Sequence, residues 1–230
     1  MSVAPQAEPR RAVDGRAGAR RAAPEPRDLD LAAPLLRAAA QAFMLKGYAA
    51  TSIDDVAEVL GCTKGRIYHH FRSKVDLFFE VHHEAMSMVM DAVRSAAAGV
   101  DDPLQRIAAM SRAHVLVIMR EIAFQCVVVQ GLEMHLHTQT TPKQRRTLRT
   151  ILALRDDYER LFVESIEQAI RAGQVPPQDA RVTVKALLGA LNWTTIWYRP
   201  RRGETEAQRQ TLADSIAAFC LRGLGGAHAA

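Results

Sequence analysis

Residues 63–70 are rich in polar and basic side chains. Only Ile67 and the following Phe71 are large apolar residues that repeat at helical spacing. Hydrogen-bond donors of this segment include Lys64, Arg66, Tyr68, His69 and His70. Such groups donate to phosphate oxygens and to the acceptor edges of bases, and a short helix that carries them fits the major groove. The segment therefore predicts a helix that reads DNA. The alternative is a surface helix whose charges are only solvated.

A second short helix is predicted immediately before this one, over residues 53–60. Four of its apolar residues fall on one helical face: Ile53, Val56, Ala57 and Leu60. Thr51 followed by Asp54 predicts a capping box at its start, and Gly61 predicts a left-handed residue at its end. The hydroxyl of Thr63 is expected to cap the following helix. Two short helices around a tight turn are typical of a helix-turn-helix.

Residues 46–78 resemble the DNA-binding domain of TetR-family transcriptional repressors. The matching residues are Lys46-Gly47-Tyr48, Thr51-Ser52-Ile53, Val56-Ala57, Leu60-Gly61, Gly65, Ile67-Tyr68, His70-Phe71, Ser73-Lys74 and Leu77. The resemblance implies a homodimer that binds a palindromic double-stranded DNA operator and is released by a small hydrophobic effector.

The DNA-binding residues are then predicted to be Thr51, Ser52, Thr63, Lys64, Gly65, Arg66, Tyr68, His69, His70 and Lys74. Within this set Lys64, Arg66 and His69 are expected to reach base edges. The residues expected to hold phosphates are Thr51, Thr63, Tyr68, His70 and Lys74.

Length and composition agree with an all-α protein of one small and one medium domain. The chain has 230 residues, of which 48% are hydrophobic, and no alternating β-branched run with hairpin turns appears. The net charge of +5 favours a polyanionic partner, although 30 basic against 25 acidic residues is a modest excess. We predict a disordered leader over 1–29, a three-helix DNA-binding domain over 30–76, a helical ligand-binding and dimerisation domain over 77–222, and a flexible tail over 223–230.

The leader is rich in Ala, Pro and Arg and has almost no large apolar side chain. Its arginines could reach a minor groove or phosphates beside the bound helix, as flexible basic arms do. These are Arg10, Arg11, Arg16, Arg20, Arg21 and Arg27. The alternative is a solvated tail, because acidic residues dilute its charge.

Helical periodicity predicts a helix from Leu31 to Gly47, a long helix from Lys74 to about Ala97, a strongly apolar segment over 104–137 and a helix over 141–173. An effector cavity is expected among these helices, with ordinary core packing as the alternative. The predicted ligand-binding residues are Met110, His114, Phe124, Val128, Leu132, Leu152, Phe162 and Trp193. His114 is interpreted as a polar anchor in this cavity or as a satisfied core histidine.

Two further helices are predicted over about 177–198 and 205–221, with apolar faces wide enough to pack on a second chain. In the family these helices form a four-helix dimer interface. The predicted interface residues are Val184, Leu188, Leu191, Leu212, Ile216 and Phe219.

The segment Gly189–Gly203, with Asn192-Trp193, Trp197-Tyr198 and Pro200, is similar to TetR relatives that sense acyl-CoA thioesters or lipid and steroid catabolites. This similarity implies a CoA thioester as the effector, with its phosphates near Arg145, Arg146 or Arg149. The other interpretation of Trp193 and Trp197 is packing in a core or dimer interface.

No P-loop, dinucleotide fingerprint, nucleophile elbow or acid–base pair is present in the sequence, so we expect neither an enzyme nor a cofactor. Glu133, His135 and His137 are the one metal-like cluster, but His135 points away from the other two on a helix, so no metal site is predicted.

The three widely spaced cysteines fit a reducing cytosol, and no apolar run is long enough for a membrane span. The predicted location is the cytoplasm, at the nucleoid through operator binding. A DNA-binding protein that responds to another hydrophobic ligand, such as a drug, or to no small molecule is the competing class. The operator, effector, regulated genes and the choice between repression and activation stay open.

Overall fold

The computed structural model describes residues 31–129 and 141–225, and all regular secondary structure within them is helical. The helices are α1 (Ala32–Ala50), α2 (Ile53–Leu60), α3 (Lys64–His70), α4 (Lys74–Ala97), α5 (Pro103–Arg120), α6 (Ile122–Val129), α7 (Pro142–Arg171), α8 (Ala180–Asn192), α9 (Thr194–Trp197) and α10 (Glu206–Gly223). The predicted all-α class is confirmed. The leader over 1–29 with its arginines, Leu132, the cluster Glu133, His135 and His137, and most of the tail lie outside the described residues.

Helices α1, α2 and α3 form the head. Its core contains Leu35 and Phe43 of α1, Val56 of α2 and Ile67 of α3, all without solvent exposure. Gly47 interrupts α1 with φ of 75°, in the left-handed region that glycine enters without a Cβ penalty. The break that the sequence predicted there is present, although a last helical stretch continues to Ala50.

The helix caps of the head differ from those predicted. Ser52 and Asp55 form the capping box of α2, so the prediction of Thr51 with Asp54 is wrong by one residue. Gly61 ends α2 with φ of 69°, as predicted. The hydroxyl of Thr63 makes no capping hydrogen bond, so its predicted cap is also wrong.

Helix α4 belongs to both halves of the molecule. Ser73 caps it by accepting a hydrogen bond from the Asp76 amide at 3.1 Å. Phe78 packs in the core of the head, whereas Val89 and Met90 pack in the core of the second domain. One continuous helix of 24 residues therefore connects the core of the head to the core of the second domain.

The second domain is built around α5, which packs against α4, α7 and α10. Asp102 caps α5 ahead of Pro103, and Thr141 with Gln144 forms the capping box of α7. The apolar segment predicted over 104–137 divides at Glu121, whose backbone is not helical. The helix predicted over 177–198 likewise divides into α8 and α9.

Contacts between head and second domain run through α6 and the start of α7. Arg37 of α1 forms an ion pair with Glu121 at 3.0 Å, and its guanidinium lies 5.7 Å from the ring centre of Phe124. Gln144 donates to Ser73 Oγ at 3.3 Å and to Asp76 Oδ1 at 3.1 Å. The start of α4 is thus tied to the domain that follows it.

No helix within 31–129 or 141–225 combines the length and the apolar character needed to cross a membrane.

Candidate nucleic-acid interface and ligand cavity

The helix-turn-helix presents a polar surface on α3. Ile67 anchors this helix with no solvent exposure, whereas six predicted DNA-binding residues around it are exposed. They are Thr63, Lys64, Gly65, Arg66, Tyr68 and His69. Ser52 is exposed at the start of α2 and His70 is half-buried at the end of α3. Most of the residues predicted to bind DNA are therefore accessible to a partner, and their contacts with DNA stay a prediction.

The two principal cations of α3 differ in their surroundings. Lys64 Nζ lies 2.8 Å from Asp54 Oδ2, and this carboxylate raises the pKa of the lysine. Arg66 forms no ion pair with any described residue. A phosphate or base would have to compete with Asp54 for Lys64, whereas the guanidinium of Arg66 is ready to donate.

Thr51 is a structural residue of the head. Its side chain is 1% exposed, and its hydroxyl donates to Gly47 O at 2.7 Å and to Ala42 O at 3.2 Å. These bonds join the end of α1 to the start of α2. The expected phosphate contact is corrected because the hydroxyl is enclosed and already bonded.

Lys74 also has a structural role in this conformation. Its ammonium donates to the backbone carbonyls of Tyr48 at 2.9 Å, Ala49 at 3.2 Å and Thr51 at 2.8 Å, and it lies 4.5 Å from the Tyr48 ring centre. A cation at the C-terminal end of α1 satisfies carbonyls that have no intrahelical donor. Its expected phosphate contact is corrected because all three ammonium hydrogens have partners.

A cavity of about 670 Å³ lies inside the second domain. Its lining comes from five helices: Met86 and Val89 of α4, His114 of α5, Gln125, Val128 and Val129 of α6, Leu152, Arg155, Asp156, Tyr158 and Glu159 of α7, and Lys185, Leu188, Gly189 and Asn192 of α8. Its volume is in the range of pockets for small ligands. Apolar, polar and charged side chains share its wall, so it suits an amphipathic molecule.

Three of the predicted ligand-binding residues, His114, Val128 and Leu152, line this cavity. Four do not, which corrects their prediction: Met110, Phe124 and Phe162 are core residues at most 2% exposed, and Trp193 faces outward with 62% exposure. Helical periodicity marks a buried face but cannot separate a core from a cavity wall, because both are apolar.

The predicted arginines at the cavity mouth are also corrected. Arg145, Arg146 and Arg149 are not among its lining residues, whereas Arg155, two to three turns later on α7, is. Arg155 forms no ion pair with any described residue, and Lys185 pairs with Glu159 at 2.9 Å. The lining thus carries two cations, Arg155 and Lys185, and two acidic residues, Asp156 and Glu159, and Arg155 is the cation without an acidic partner among the described residues.

A buried polar relay forms another part of the wall. His114 is 3% exposed and bonds through Nδ1 to the Tyr158 hydroxyl and through Nε2 to Asn192 Oδ1 at 3.1 Å. Burial lowers the pKa of His114 to about 4, while the bond to Asn192 opposes that shift. Burial also raises the pKa of Tyr158. His114 therefore has partners for both ring nitrogens, as a satisfied core histidine would, and it also lines the cavity. Both features that the sequence offered as alternatives are present.

The predicted dimer residues divide into three groups. Val184 and Leu191 are buried in the chain's own core, and Leu188 lines the cavity, which corrects their assignment to an exposed face. Leu212 and Ile216 are partly buried against the core. Phe219 remains 65% exposed.

Four more apolar residues in the C-terminal part are exposed: Val182, Trp193, Ile196 and Trp197. The sequence had left packing in a core or dimer interface open for Trp193 and Trp197. Val182 lies on α8 and Trp193 is the residue directly after this helix, about three turns further on, a spacing that could have revealed a shared exposed side. We call these four residues and Phe219 the C-terminal apolar surface, since all five are exposed and lie on or next to the last three helices. Exposed apolar side chains that lie together mark protein interfaces.

The sequence assigned no DNA-binding or ligand-binding role to His82. It is fully buried on α4, and neither ring nitrogen has a hydrogen-bond partner among the described residues. Burial, followed by the charges of Arg155 and His83, lowers its pKa to about 3. A neutral, unsatisfied imidazole thus lies one turn before the cavity residue Met86.

A three-helix head with an exposed reading helix, joined by one long helix to a domain with an internal cavity, defines a helix-turn-helix transcriptional regulator with a ligand-binding domain. The chain belongs to the TetR family. Residues 35–81 match the family described as bacterial regulatory proteins, tetR family, and residues 100–224 match the tetracyclin repressor-like C-terminal domain. Members are DNA-binding transcription factors, which confirms the prediction that the protein is not an enzyme.

Known proteins similar to this chain include a repressor and a CoA-bound regulator. The HTH-type transcriptional repressor KstR2 of Mycobacterium tuberculosis is 26% identical over 167 residues, which cover 72% of this chain and 80% of KstR2. The structure of AibR in complex with isovaleryl coenzyme A and operator DNA has a TM-score of 0.65 at 26% identity and covers 80% of this chain and 95% of AibR. PfmR from Thermus thermophilus has a TM-score of 0.68 at 29% identity, with coverage of 83% of this chain and 98% of PfmR.

Proposed function

We propose that this TetR-family regulator is a homodimeric repressor that an acyl-CoA thioester releases from a palindromic operator. The observation that carries the proposal is the cavity of about 670 Å³, whose wall combines apolar side chains with Arg155, a cation that has no acidic partner in the described chain. The similarity to the repressor KstR2 and to AibR with isovaleryl coenzyme A supports this chemistry.

An acyl-CoA would meet both kinds of surface in this cavity. The acyl tail would lie against Met86, Val89 and Leu152, since apolar walls favour removal of the tail from water. The phosphates of CoA would meet Arg155, since charge-assisted bonds to phosphate are strong, and Lys185 of α8 is the second cation of the lining. This assignment replaces Arg145, Arg146 and Arg149 in the expected role.

Operator contacts would come from the exposed side of α3. We assign base contacts to Arg66, Lys64 and His69, and phosphate contacts to Thr63 and Tyr68. Arg66 should contribute most to base discrimination, because Lys64 must first leave Asp54.

The C-terminal apolar surface would pair with the same surface of a second chain. Phe219, Trp193 and Val182 are each more than 60% exposed in one chain, and a two-fold axis would remove them from water. Two heads would then reach successive major grooves, which lie about 34–36 Å apart.

Helix α4 would transmit ligand binding to the heads. It contributes Met86 and Val89 to the cavity and Phe78 to the core of the head. A ligand that displaces α4 would change the spacing of the two α3 helices. A preference of about 3–5 kcal/mol for the released form would be enough to shift operator occupancy strongly.

The test is a titration of acyl-CoAs and of their free acids into the complex between the protein and DNA from upstream of its own gene, followed by fluorescence anisotropy. Isovaleryl-CoA, octanoyl-CoA and a polycyclic acyl-CoA would cover short, long and bulky tails. Release by thioesters alone is the expected result. Release by free acids alone would contradict the CoA assignment, and absence of release by both would contradict the proposed effector class.

A further inference from the structure

The polar relay determines which atoms of Asn192 face a ligand. Neutral His114 carries one ring proton, and Asn192 Oδ1 can only accept, so the proton lies on Nε2. Nδ1 is then an acceptor, and the Tyr158 hydroxyl donates to it. The three side chains form one directed chain of hydrogen bonds, from Tyr158 through His114 to the Asn192 oxygen.

The amide nitrogen of Asn192 is left over by this arrangement. Nδ2 carries two N–H groups and donates to no described residue, while the half-buried Asn192 side chain lines the cavity. Gln125, the other amide side chain of the lining, differs from Asn192 because its amide nitrogen already has a partner: Nε2 donates to Ala85 O at 2.9 Å. A polar group on a cavity wall is stabilised when a ligand completes its hydrogen bonds.

We propose that Asn192 Nδ2 donates a hydrogen bond to a carbonyl oxygen of the effector. Tyr158 and His114 are positioning residues, since they hold the amide with its oxygen turned away from the ligand. A carbonyl suits this wall better than a carboxylate, because the relay is uncharged and offers no cation to balance an anion. The inference rests on the proposed function for the class of effector, whose thioester supplies the carbonyl.

The direct test compares two ligands that differ only in this acceptor. Octanoyl-CoA has a thioester carbonyl, and the thioether S-octyl-CoA has a methylene group in its place. Calorimetry should show the wild-type protein binding octanoyl-CoA about tenfold more tightly, the equivalent of one hydrogen bond. Asn192→Leu should bind both ligands alike, so persistence of the tenfold preference in this variant would overturn the proposal.

Asn192→Asp is the isosteric partner of that variant. One carboxylate oxygen can still accept from His114 Nε2, whereas the other presents an acceptor to the ligand carbonyl. Affinity for octanoyl-CoA should fall more than tenfold, and affinity for S-octyl-CoA should fall less. Operator affinity and melting temperature close to those of the wild type would show that both Asn192 variants fold.

The amide orientation has its own measurement, independent of any ligand. Nitrogen-15 spectra of the histidines in the full-length protein should show His114 as the Nε2–H tautomer, and Tyr158→Phe should weaken that preference. A pure Nδ1–H tautomer would reverse the relay, turn the Asn192 oxygen toward the ligand and overturn the donor assignment. If octanoyl-CoA does not bind the wild type, the acyl-CoA proposal fails, and the tautomer still decides the orientation of the amide.

Discussion

The head and the second domain, which contains the cavity, differ in how far the sequence alone determines where each side chain lies. In the head, short helices meet at fixed turns, and the exposed surface of α3 follows from Ile67 being its buried anchor. In the cavity domain five helices contribute to one wall, and the same apolar spacing yields core at Phe162 and cavity at Leu152. A reading surface is therefore a local property, whereas a cavity depends on the packing of the whole domain.

The largest expected effect tests whether the two regions are coupled through a dimer. Phe219→Glu places a charge in the C-terminal apolar surface, so the variant should sediment as a monomer and lose operator binding, because one head contacts one half-site. Leu45→Glu, at a head residue that is 73% exposed, is the control for a charge on an exposed apolar residue and should leave the dimer intact. A dimeric Phe219→Glu protein would place the interface elsewhere.

The second prediction separates reading from support within the head. Arg66→Ala should weaken operator binding by about 1–3 kcal/mol and relax base preference at one position of each half-site, with little change in melting temperature. Lys74→Met should instead lower the melting temperature, because three backbone carbonyls at the end of α1 lose their donor. The checks are anisotropy over a salt series and thermal unfolding. A Lys74→Met protein with wild-type stability and a flatter salt slope would restore the phosphate role.

Sequence alone predicted the helices of both regions and most of the exposed α3 residues, because capping, glycine turns and apolar periodicity act locally. It misassigned Thr51 by one position, since Thr and Ser stand side by side and either hydroxyl can cap. Lys74 looked like a surface cation because its partners are backbone carbonyls from residues 48–51, which no side-chain pattern reveals. The cavity arginine was misplaced because α7 carries basic residues along several turns, and only packing selects Arg155.

The third prediction concerns how the stability of the fold depends on pH through two buried histidines, His82 of α4 and His114 of α5. His82 and His114 have folded pKa values lowered to about 3 and about 4, below an unfolded value near 6.5, so the unfolded chain binds more protons below that pH. The free energy of unfolding should therefore be highest above pH 6.5 and should decrease as the pH falls toward 4.

His82→Leu removes one of these groups together with its two unsatisfied nitrogens, and should raise the free energy of unfolding by about 1–3 kcal/mol at neutral pH and by more at pH 5. Urea unfolding at both values checks this, and an equal gain at both would mean that His82 does not titrate on unfolding.

The smallest expected effect comes from the same type of substitution, glycine to alanine, made once in the head and once in the second domain. Gly65 of α3 and Gly189 of α8 both lie inside helices without positive φ, and a Cβ at either position would meet no described atom within 4 Å apart from its chain neighbours and the adjacent backbone of its own helix. Glycine costs up to ~1 kcal/mol relative to alanine in a helix, so each Gly→Ala change should stabilise the fold by a fraction of that amount.

The effect of each change on binding is a separate measurement. Because packing within the described chain does not require either glycine, a requirement for glycine would come from a bound partner. Gly65→Ala should therefore reduce operator affinity if DNA approaches the backbone of α3 closely, whereas Gly189→Ala should leave operator affinity unchanged and alter the affinity for octanoyl-CoA, because Gly189 lines the cavity. Unchanged operator affinity in Gly65→Ala would mean that DNA does not approach the α3 backbone closely at this residue, so that the contacts of α3 would come from its side chains.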